Sequence, residues 1–316
     1  MDSISVLIPT LNRHKILIDT IISVRAISKE VEIIICDQSD NLINTEMSIF
    51  LEKNNIKYWK VAFKSLTKAR NFLVNKASQT ICLFIDDDVE LCPCYFSKII
   101  ERFTNTEITG LTGPSLKKMG ILNDYINLST QEIGSILKSG SLVNDASFVH
   151  NPQWLVGCNH AYRKIDILKA GMYNEFFYGI AIGEDAEMSV RILRVCGGRL
   201  LYEPTMKLVH LQTPTGGCRN KKFNFIYEIS KTANSSYFCL CISFGFSNIF
   251  LNQIKVARSN LINRNKILSI YIIYFFLSYI CGVIYAMFLY VKSYKFIKKY
   301  YLNTTNRSYN PFVDLK

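Results

Sequence analysis

The sequence lacks the cysteine spacing of the common metal and redox motifs. Its ten cysteines are scattered, with C-x-C pairs at Cys92/Cys94 and Cys239/Cys241 and no C-x-x-C. The absence of C-x-x-C argues against a zinc ribbon and against a thioredoxin-like site. Reduced thiols in the cytosol are therefore the expected state of these residues.

Internal repeats and low-complexity segments are also missing. Met1 is followed almost at once by the largely apolar run from Ile4 to Ile8, with neither a positive leader nor a small-residue cleavage site, so we expect no signal peptide. Hydrophobic residues make up 49% of the chain and charged residues 20%. That balance excludes a disordered tail and a minimal disulfide-stapled domain.

Acidic residues are almost missing from the last third of the chain. The 316 residues contain 37 Lys and Arg against 25 Asp and Glu, a formal net charge of +12. From Thr213 onward there are 14 basic and 2 acidic residues, so the first 212 residues carry 23 of each kind. Basic proteins often bind nucleic acid through its phosphates, but here the excess charge lies in the most apolar part of the chain. This combination favours a membrane surface as partner and argues against nucleic acid.

The same C-terminal region contains two uncharged stretches. Ile267 to Val291 is a run of 25 residues without a charge, and Tyr237 to Ile254 is a second such run. About 20 apolar residues span a bilayer, but a single span would leave the basic tail across the membrane from the N-terminal part. A peripheral, monotopic or re-entrant segment, bent near Gly282, keeps the positive charge on one face. A buried helix of a soluble domain is the other interpretation.

The N-terminal part alternates short apolar runs with helix-like segments. Alternation of this kind predicts a Rossmann-like α/β arrangement, a mostly parallel sheet flanked by helices. Strands are expected at Ser5–Pro9, Val31–Cys36 and Ile81–Ile85, and helices at Lys15–Ala26 and Thr45–Asn54. Such sheets bind ligands at the carboxyl ends of their strands.

A second strand–helix–strand pattern follows later in the chain. Its segments are Trp154–Val156, Glu184–Cys196, Leu200–Tyr202 and Leu208–Val209. Between Thr104 and Pro152 the pattern weakens, so we expect irregular or edge structure there.

Three adjacent acids, Asp86, Asp87 and Asp88, end the apolar strand Ile81–Ile85 and are the strongest chemical signal. Adjacent carboxylates repel one another, and partial burial strengthens that repulsion. A bound divalent cation removes the repulsion, and ligands that are all oxygen favour Mg²⁺ or Mn²⁺ over zinc. The alternative is a solvated acidic turn, which seldom follows so apolar a strand.

Two further groups lie where a ligand of the sheet would bind. Asp37 follows the strand Val31–Cys36 and suits hydrogen bonds from a base or a ribose hydroxyl, although D-x-S-D is also a common turn. Arg70 belongs to the cationic segment Lys68 to Asn71, which either faces phosphate or begins a solvated helix.

The second half of the chain adds a candidate general base and a histidine. Glu184 and Asp185 open a helix after an aromatic and glycine-rich loop, and a carboxylate there suits general base chemistry. Acids at a helix start also complement the helix dipole without any catalytic role. His210 follows the apolar pair Leu208–Val209, where an imidazole either completes a carboxylate-held metal site or is structural.

In their order and approximate spacing, these motifs resemble those of the family-2 inverting glycosyltransferases with the GT-A fold. The match extends over about residues 3 to 219, and seven motifs in register are specific where each alone is weak. They are Ser5 to Arg13, Asp37-Gln38-Ser39-Asp40, Ala69-Arg70-Asn71, Asp86-Asp87-Asp88, Gly157-Cys158-Asn159, Gly183-Glu184-Asp185 and His210.

The resemblance implies a role for each matched position. Asp185 would be the catalytic base with Glu184 beside it, and Asp88 would hold Mn²⁺ or Mg²⁺, with His210 as a further contact. Asp37 would bind the base of the nucleotide. The other residues expected around the nucleotide sugar are Pro9, Asn12, Arg13, Arg70, Asp86, Asp87 and Asn159, with Asp86 near the ribose and Trp154 in the sugar or acceptor region.

The resemblance also implies partners and a division of the chain. The donor would be a UDP-, GDP- or dTDP-linked sugar, and the acceptor a glycan. The membrane-facing C-terminal region suggests that this glycan is lipid-linked, in a surface polysaccharide pathway. Residues 1–212 would form the GT-A domain, with a nucleotide-binding half at 1–103 and an acceptor and catalytic half at 104–212. Beyond the matched region, charge and hydropathy predict that residues 213–316 form a helical, hydrophobic and basic region on the cytoplasmic side of the inner or plasma membrane.

Two positions depart from the family pattern. His160 follows Asn159 where an apolar residue is expected, which suggests an unusual sugar or acceptor. The segment from Asp37 to Asp40 is shorter than the commonest form, which leaves the role of Asp40 open.

Two other functions stay open at this point. A sugar-nucleotide pyrophosphorylase also uses a doubly wound sheet and Mg²⁺, but it would need a glycine-rich cationic loop after the first strand, and Leu7 to Arg13 contains no glycine. The other alternative is a non-enzymatic basic membrane-binding protein. In that case no function would be assigned to Asp86, Asp88, Asp185 and His210.

Overall fold

The computed structural model describes residues 3–117, 149, 151–152, 154–213, 216–217, 225–242 and 269–302, with side chains from Phe276 onward in the last range. The strands are β1 (Ile4–Thr10), β2 (Glu32–Asp37), β3 (Ile56–Lys60), β4 (Ile81–Ile85), β5 (Val89–Leu91), β6 (Ile108–Thr112), β7 (Ser115–Lys117), β8 (Asn159–Arg163), β9 (Arg199–Tyr202) and β10 (Leu208–His210). The helices are α1 (His14–Ile27), α2 (Thr45–Lys53), α3 (Leu66–Lys76), α4 (Tyr95–Phe103), α5 (Lys164–Lys169), α6 (Glu184–Cys196), α7 (Phe225–Cys241), α8 (Ser269–Lys292) and α9 (Tyr294–Ile297), followed by a π-helical segment at Lys298–Leu302.

Seven strands form one sheet in the order β3-β2-β1-β4-β8-β6-β9. The pairs β1–β2, β1–β4, β2–β3 and β6–β9 are parallel, whereas β8 runs antiparallel to both β4 and β6. The predicted α/β class with a mostly parallel sheet is therefore confirmed.

Alternation along the central strands divides the interior into two layers. In β1, Val6 and Ile8 belong to the cluster formed with α1, α2 and α4, whereas Leu7 belongs to the cluster formed with α3, α5 and α6. Leu83 and Phe84 of β4 divide in the same way. Successive side chains of a strand point to opposite faces, so a strand covered on both faces is apolar throughout.

A second sheet of three short strands, in the order β5-β10-β7, follows the carboxyl end of β4. β10 pairs in parallel with β7 and antiparallel with β5, where His210 is opposite Val89. Because β5 begins directly after Asp88, this pairing brings His210 to the acidic triplet from far along the chain.

The region between residues 104 and 163 differs from the sequence expectation. β6 is a buried inner strand between β8 and β9, not irregular or edge structure. Its centre is Gly110, where an added Cβ would lie 2.7 Å from the Tyr162 ring, so close packing requires a glycine that weakens the strand signal. The strand expected at Trp154–Val156 lies instead at Asn159–Arg163. Residues 118–148 of this region lie outside the described residues.

The C-terminal helices pack against α6 through a third apolar cluster. Its members include Val190 of α6, Tyr237 of α7, Ala286 of α8 and Tyr301 of the π-helical segment. Residues of the C-terminal region and of the sheet domain thus share one core. The boundary expected after residue 212 stays a prediction.

A buried ion pair lies in that shared core. Glu187 accepts from Nε of Arg191 at 2.8 Å, both side chains are 0% exposed, and the hydroxyl of Tyr301 donates to Glu187. The Arg191 guanidinium also lies over the ring of Phe296 at 4.9 Å. The last described turns of the chain therefore cover a charged pair on the helix that begins with Glu184 and Asp185.

α8 has one buried and one exposed apolar face. Ala286 and Leu289 are buried, whereas Ile284 is 61% and Val291 74% exposed. Within the described residues no single helix has both the length and the hydropathy to cross a membrane, but Phe276–Lys292 and Tyr294–Leu302, bent by 66° where they meet, satisfy that criterion together.

The bend expected near Gly282 is wrong, because α8 continues through this residue and breaks at Ser293. Gly282 instead allows α7 to approach, since an added Cβ would lie 2.7 Å from Cβ of Thr232. Much of the second uncharged run, residues 243–254, lies outside the described residues.

Replacing Arg191 tests how far the shared core stabilises the molecule. In Arg191→Met, Glu187 loses its cation in a fully buried site, and we expect the free energy of unfolding to fall by about 3–5 kcal/mol. Urea unfolding followed by circular dichroism measures the change.

Arg199→Met is the matched control, because that side chain is 44% exposed and lies 3.9 Å from Glu107. We expect the free energy of unfolding to change by less than about 0.5 kcal/mol in the control. Similar losses in both variants would contradict the structural role of the buried pair.

Candidate active site

The carboxyl ends of β1, β2 and β4 meet at one edge of the large sheet. The last parallel pair of β1 and β2 joins Thr10 to Asp37, and the hydroxyl of Thr10 donates to Asp87 Oδ2 at 2.6 Å. The acidic triplet and Asp37 therefore lie at the same edge, as the strand pattern predicts.

The negative charge of Asp87 is balanced by a positively charged side chain of the protein. Arg13 Nη1 lies 2.9 Å from Asp87 Oδ1 and 3.4 Å from Asp88 Oδ2. Burial raises the pKa of Asp87 to about 6, although Arg13 and the Thr10 hydroxyl oppose the shift. Arg13 also donates to the backbone oxygen of Gly216 at 3.2 Å, so it links the first strand to a distant loop.

Asp88 is fully buried and pairs with His210. Nε2 of His210 lies 3.0 Å from Asp88 Oδ1, and Thr213 donates its N–H and its hydroxyl to Asp88 Oδ2 at 3.0 and 2.9 Å. Burial would raise the pKa of Asp88, but hydrogen bonds and the charges of His210 and Arg13 lower it to about 2. Burial would lower the pKa of His210, but Asp88 and the neighbouring Cys158 raise it to about 10.

Asp86 is the most open acid of the triplet and belongs to a cluster of metal-ligand types. Its side chain is 31% exposed, and its Oδ2 lies 3.5 Å from His210 Nε2. Ligand atoms of Asp86, Cys158 and His210 all lie within 4.8 Å of one another. Carboxylate and imidazole are common ligands of divalent cations, so the donor set fits a divalent cation.

Asp37 is buried and held by three donors. Tyr58 donates its hydroxyl at 2.5 Å, His14 Nε2 lies at 2.8 Å and the N–H of Ser39 donates at 2.8 Å. Burial would raise the pKa of Asp37, but these hydrogen bonds lower it. Asn12 lies beside this loop, with its N–H donating to the Ser39 hydroxyl at 2.7 Å. The carboxylate of Asp37 is therefore ionised and fixed in place.

A cleft of about 680 Å³ opens beside the triplet. One wall comes from the strand ends and the loop before α3, and the other from the loop before α6 and the start of α7. The lining residues are Pro9, Thr10, Leu11, Arg13, Gln38, Lys64, Ser65, Leu66, Asp86, Asp87, Tyr178, Gly179, Ile180, Ile182, Gly217, Ile226, Tyr227 and Ser230. Asp37, Asn12, Arg70 and Asp185 do not belong to this lining.

The start of α6 is held by a second buried ion pair. Arg70 is 2% exposed, pairs with Glu184 and donates through Nη2 to the backbone oxygen of Gly157 at 2.8 Å. Burial raises the pKa of Glu184 although Arg70 opposes the shift. Oε2 of Glu184 is buried without a hydrogen-bond partner among the described residues. Arg70 thus orients the helix start rather than lining the cleft.

Asp185 is partly buried next to the same turn. An added Cβ on Gly157 would lie 2.9 Å from Asp185 Oδ2, so the carboxylate rests against the glycine backbone. Burial raises the pKa of Asp185, whereas Arg70 and backbone hydrogen bonds oppose the shift. A raised pKa makes the carboxylate a stronger proton acceptor.

Comparison with protein families decides the class of the molecule. The glycosyl transferase family 2 model matches residues 5–163, half of the chain. The chain belongs to glycosyl transferase family 2. This confirms the resemblance read from the motifs, and it favours a transferase over the pyrophosphorylase and the non-enzymatic membrane-binding protein. No curated protein matches the chain at a significant level.

Three solved structures similar to this family-2 chain are glycosyltransferases. GalNAc-T7 with UDP, GalNAc and Mn²⁺ superposes with a TM-score of 0.55 at 16% identity, over 76% of this chain and 50% of that one. S. aureus TarS has a TM-score of 0.53 at 13% identity, over 76% and 39%. The mannosyltransferase PcManGT from Pyrobaculum calidifontis, with GDP-Man and Mn²⁺, has a TM-score of 0.50 at 10% identity, over 92% and 75%. These likenesses confirm the GT-A fold, and the chain spans about half the length of the first.

Of the two positions assigned to the sugar or acceptor region, Asn159 is buried and Trp154 is partly buried. Asn159 is 0% exposed and donates to the backbone oxygens of Pro114 and Met206 at 3.0 Å each. Its contact with the sugar stays a prediction, and here its amide ties β8 to the second sheet. Trp154 packs against the third apolar cluster.

His160 is also interior, so its departure from the family pattern has a structural reason in this family-2 chain. Its ring stacks on Phe84 with centroids 4.9 Å apart, and its nitrogens contact the Val156 backbone oxygen and the Tyr173 hydroxyl. The sequence interpretation linked this residue to an unusual sugar or acceptor. In the structure, the His160 side chain instead holds the turn that contains Gly157.

Sequence reasoning missed Cys158 and the wall contributed by α7. Cys158 lies within a recognised motif, but its position near Asp86 follows only from the register in which Ile85 pairs with Asn159. Ile226 and Tyr227 line the cleft. The sequence pattern of the C-terminal region indicated only a membrane segment and did not predict that it would line the cleft. Both depend on how distant segments pair.

Gly157→Ala tests whether this turn positions Asp185. The added methyl group would press on Oδ2 of Asp185, and a misplaced catalytic group costs about tenfold to a hundredfold in rate. We expect kcat for release of nucleoside diphosphate from a bound nucleotide sugar to fall by at least about tenfold, with little change in donor affinity.

The matched comparison is Ala186→Gly, which removes a methyl group at the next residue of α6 without adding bulk against Asp185. It should change stability by about 1 kcal/mol and kcat by less than about threefold. Wild-type kcat in Gly157→Ala would contradict the positioning role.

Proposed function

We propose that this chain is a metal-dependent inverting glycosyltransferase that moves a sugar from a nucleoside-diphosphate sugar to a hydroxyl of a glycan acceptor. The observation that carries the proposal is the cluster of Asp86, Cys158 and His210 beside a cleft of about 680 Å³, in a chain of glycosyl transferase family 2. A cleft of this size suits a ligand the size of a nucleotide sugar. The similar structures solved with UDP or GDP-Man and Mn²⁺ support the same donor class.

Different residues bind different parts of the donor. Asp37 suits the base or ribose end because its carboxylate is ionised and fixed at the end of β2. Arg13 and Lys64 line the cleft and bring positive charge for the diphosphate. A divalent cation held by Asp86 and His210, beside Asp88, would offset the charge that develops on the leaving diphosphate.

Asp185 acts as the general base of a single displacement. It takes the proton of the acceptor hydroxyl as that oxygen forms a bond to the anomeric carbon, and the bond to the diphosphate oxygen breaks. One displacement inverts the configuration at that carbon. Arg70 and Glu184 keep the start of α6 in place, and Gly157 leaves room for the carboxylate.

The acceptor in this proposal is lipid-linked. The wall opposite the triplet carries Ile180, Ile182 and Ile226, of which Ile226 is 73% exposed. Such a wall suits an apolar or amphipathic acceptor rather than a free sugar. This wall includes the start of α7, and α7 packs against α8. The apolar face of α8 that is exposed lies away from this contact.

The chain in this proposal works at the cytoplasmic face of a membrane. Exposed apolar residues of α8, such as Ile284 and Phe288, lie close in sequence to Lys292, Lys295 and Lys299. Apolar insertion combined with Lys residues suits anionic headgroups. This arrangement makes the protein peripheral or monotopic and holds the cleft near a lipid-linked acceptor.

The donor and the base are tested together by thermal unfolding and turnover. A panel of UDP-, GDP- and dTDP-linked sugars with MnCl₂ should raise the melting temperature for one nucleotide class, and ligand at 100 times its Kd adds about 2.7 kcal/mol. Asp185→Asn should keep this shift and lose about 10²–10⁴-fold in kcat for transfer. EDTA should abolish both the shift and the activity.

Asp166→Asn is the control, because Asp166 is a buried carboxylate on α5 outside the cleft lining. It should keep the wild-type kcat. No stabilisation by any nucleotide sugar with MnCl₂ would refute the donor class, and near-normal turnover by Asp185→Asn would refute the base.

Membrane association is tested by vesicle flotation. The double variant Ile284→Glu/Phe288→Glu removes two exposed apolar side chains, each of which contributes about 1.5–3 kcal/mol when buried. We expect its partition coefficient on phosphatidylglycerol vesicles to fall by more than about tenfold.

Ile22→Glu is the control, since Ile22 of α1 is 51% exposed and lies far from α8 in sequence. It should float as the wild type does. Unchanged flotation of the double variant would show that α8 is not the membrane contact.

A further inference from the structure

A cysteine thiol lies next to the acidic triplet, in addition to the carboxylates of the triplet itself. β8 runs antiparallel to β4, and the last pair of that ladder joins Ile85 to Asn159. One step beyond it, Asp86 and Cys158 follow on opposite strands. Antiparallel pairing thus sets a sulfur beside the most open carboxylate of the triplet.

The neighbouring carboxylate Asp88 is less free to bind an ion. Its Oδ1 contacts His210, and its Oδ2 accepts from the N–H and the hydroxyl of Thr213. Asp86 has only the 3.5 Å contact with His210 among the described residues. The available ligand atoms around His210 are therefore an oxygen of Asp86 and the sulfur of Cys158.

The distances suit one shared ion. The ligand atoms of Asp86, Cys158 and His210 lie within 4.8 Å of one another, and atoms bound to one ion at about 2.0–2.3 Å lie up to about 4.5 Å apart. Cys158 is 8% exposed, and its Sγ also lies 3.2 Å from the hydroxyl of Ser115. Among the described residues this is the one group of three such ligand types that converge.

We propose that Cys158 is a ligand of the catalytic cation, together with Asp86 and His210, and that its sulfur makes the site select transition metals over Mg²⁺. The inference deepens the proposed function, because it rests on a cation at this position. A thiolate is a soft ligand that favours Zn²⁺ and similar ions, whereas Mg²⁺ retains oxygen ligands. Binding releases the proton of the thiol and the proton on the coordinating imidazole nitrogen to solvent, since only the thiolate and the neutral imidazole coordinate.

Cobalt provides a direct readout of sulfur coordination in the full chain. Titration of the wild type with CoCl₂ should produce a thiolate-to-cobalt charge-transfer band in the near ultraviolet. Cys158→Ser should lose that band and at least about tenfold in Co²⁺ affinity by calorimetry, while Mg²⁺ affinity changes by less than about twofold. Cys158→Ala is a second variant, and the melting temperature of each confirms that it folds.

Cys196→Ser is the matched control, because this partly buried cysteine ends α6 and contacts the Asp166 backbone oxygen, away from the cluster. It should keep the band and the Co²⁺ affinity. A band that persists in Cys158→Ser, or equal losses of Co²⁺ and Mg²⁺ affinity, would overturn the inference.

UDP and GDP separate this inference from the proposed function. If Mn²⁺ with either nucleotide stabilises the wild type while the cobalt band does not depend on Cys158, the ligand assignment is wrong and the transferase stands. If the band depends on Cys158 but no nucleotide stabilises the protein with any cation, the metal site stands and the donor class is wrong.

Discussion

Charge compensation around three adjacent carboxylates constrains the whole site. Asp86, Asp87 and Asp88 end a strand that is covered on both faces, and such acids repel one another unless each is paired or binds an ion. Arg13 pairs with Asp87 and His210 with Asp88. These two pairs therefore bring the loop after β1 and the strand β10 close together at the triplet. Asp86 remains the most exposed carboxylate, beside the cleft.

The helix that begins with Glu184 and Asp185 depends on a similar arrangement. Arg70 pairs with Glu184 at its start, and Glu187 and Arg191 form a fully buried pair one turn further along, covered by the last described turns of the chain. A buried charge without its partner is strongly destabilising, so these pairs tie the position of Asp185 to the packing of α9 and the π-helical segment. The C-terminal helices thus contribute to the active site as well as to any membrane contact.

Much of the sheet was predictable because its strands are apolar runs with a chemical signal at each end. β1, β2 and β4 were expected within one or two residues of their observed bounds, and the acids after them lie at the predicted edge. β6 was missed because Gly110 interrupts its apolar pattern, and the interior roles of Asn159 and His160 were missed because hydrogen bonds between distant strands leave no periodic mark. Burial of Arg70 likewise follows from a partner 114 residues away.

The sequence by itself determined the α/β class, the family and the residue types at the strand ends, because these follow from local periodicity and from short motifs. Only the tertiary structure decided which of those residues face one another. Cross-strand register set Cys158 beside Asp86, the second sheet brought His210 to Asp88, and helix packing gave the cleft its second wall. The physical reason is that pairing energies between segments far apart in the chain depend on three-dimensional fit, which no local pattern encodes.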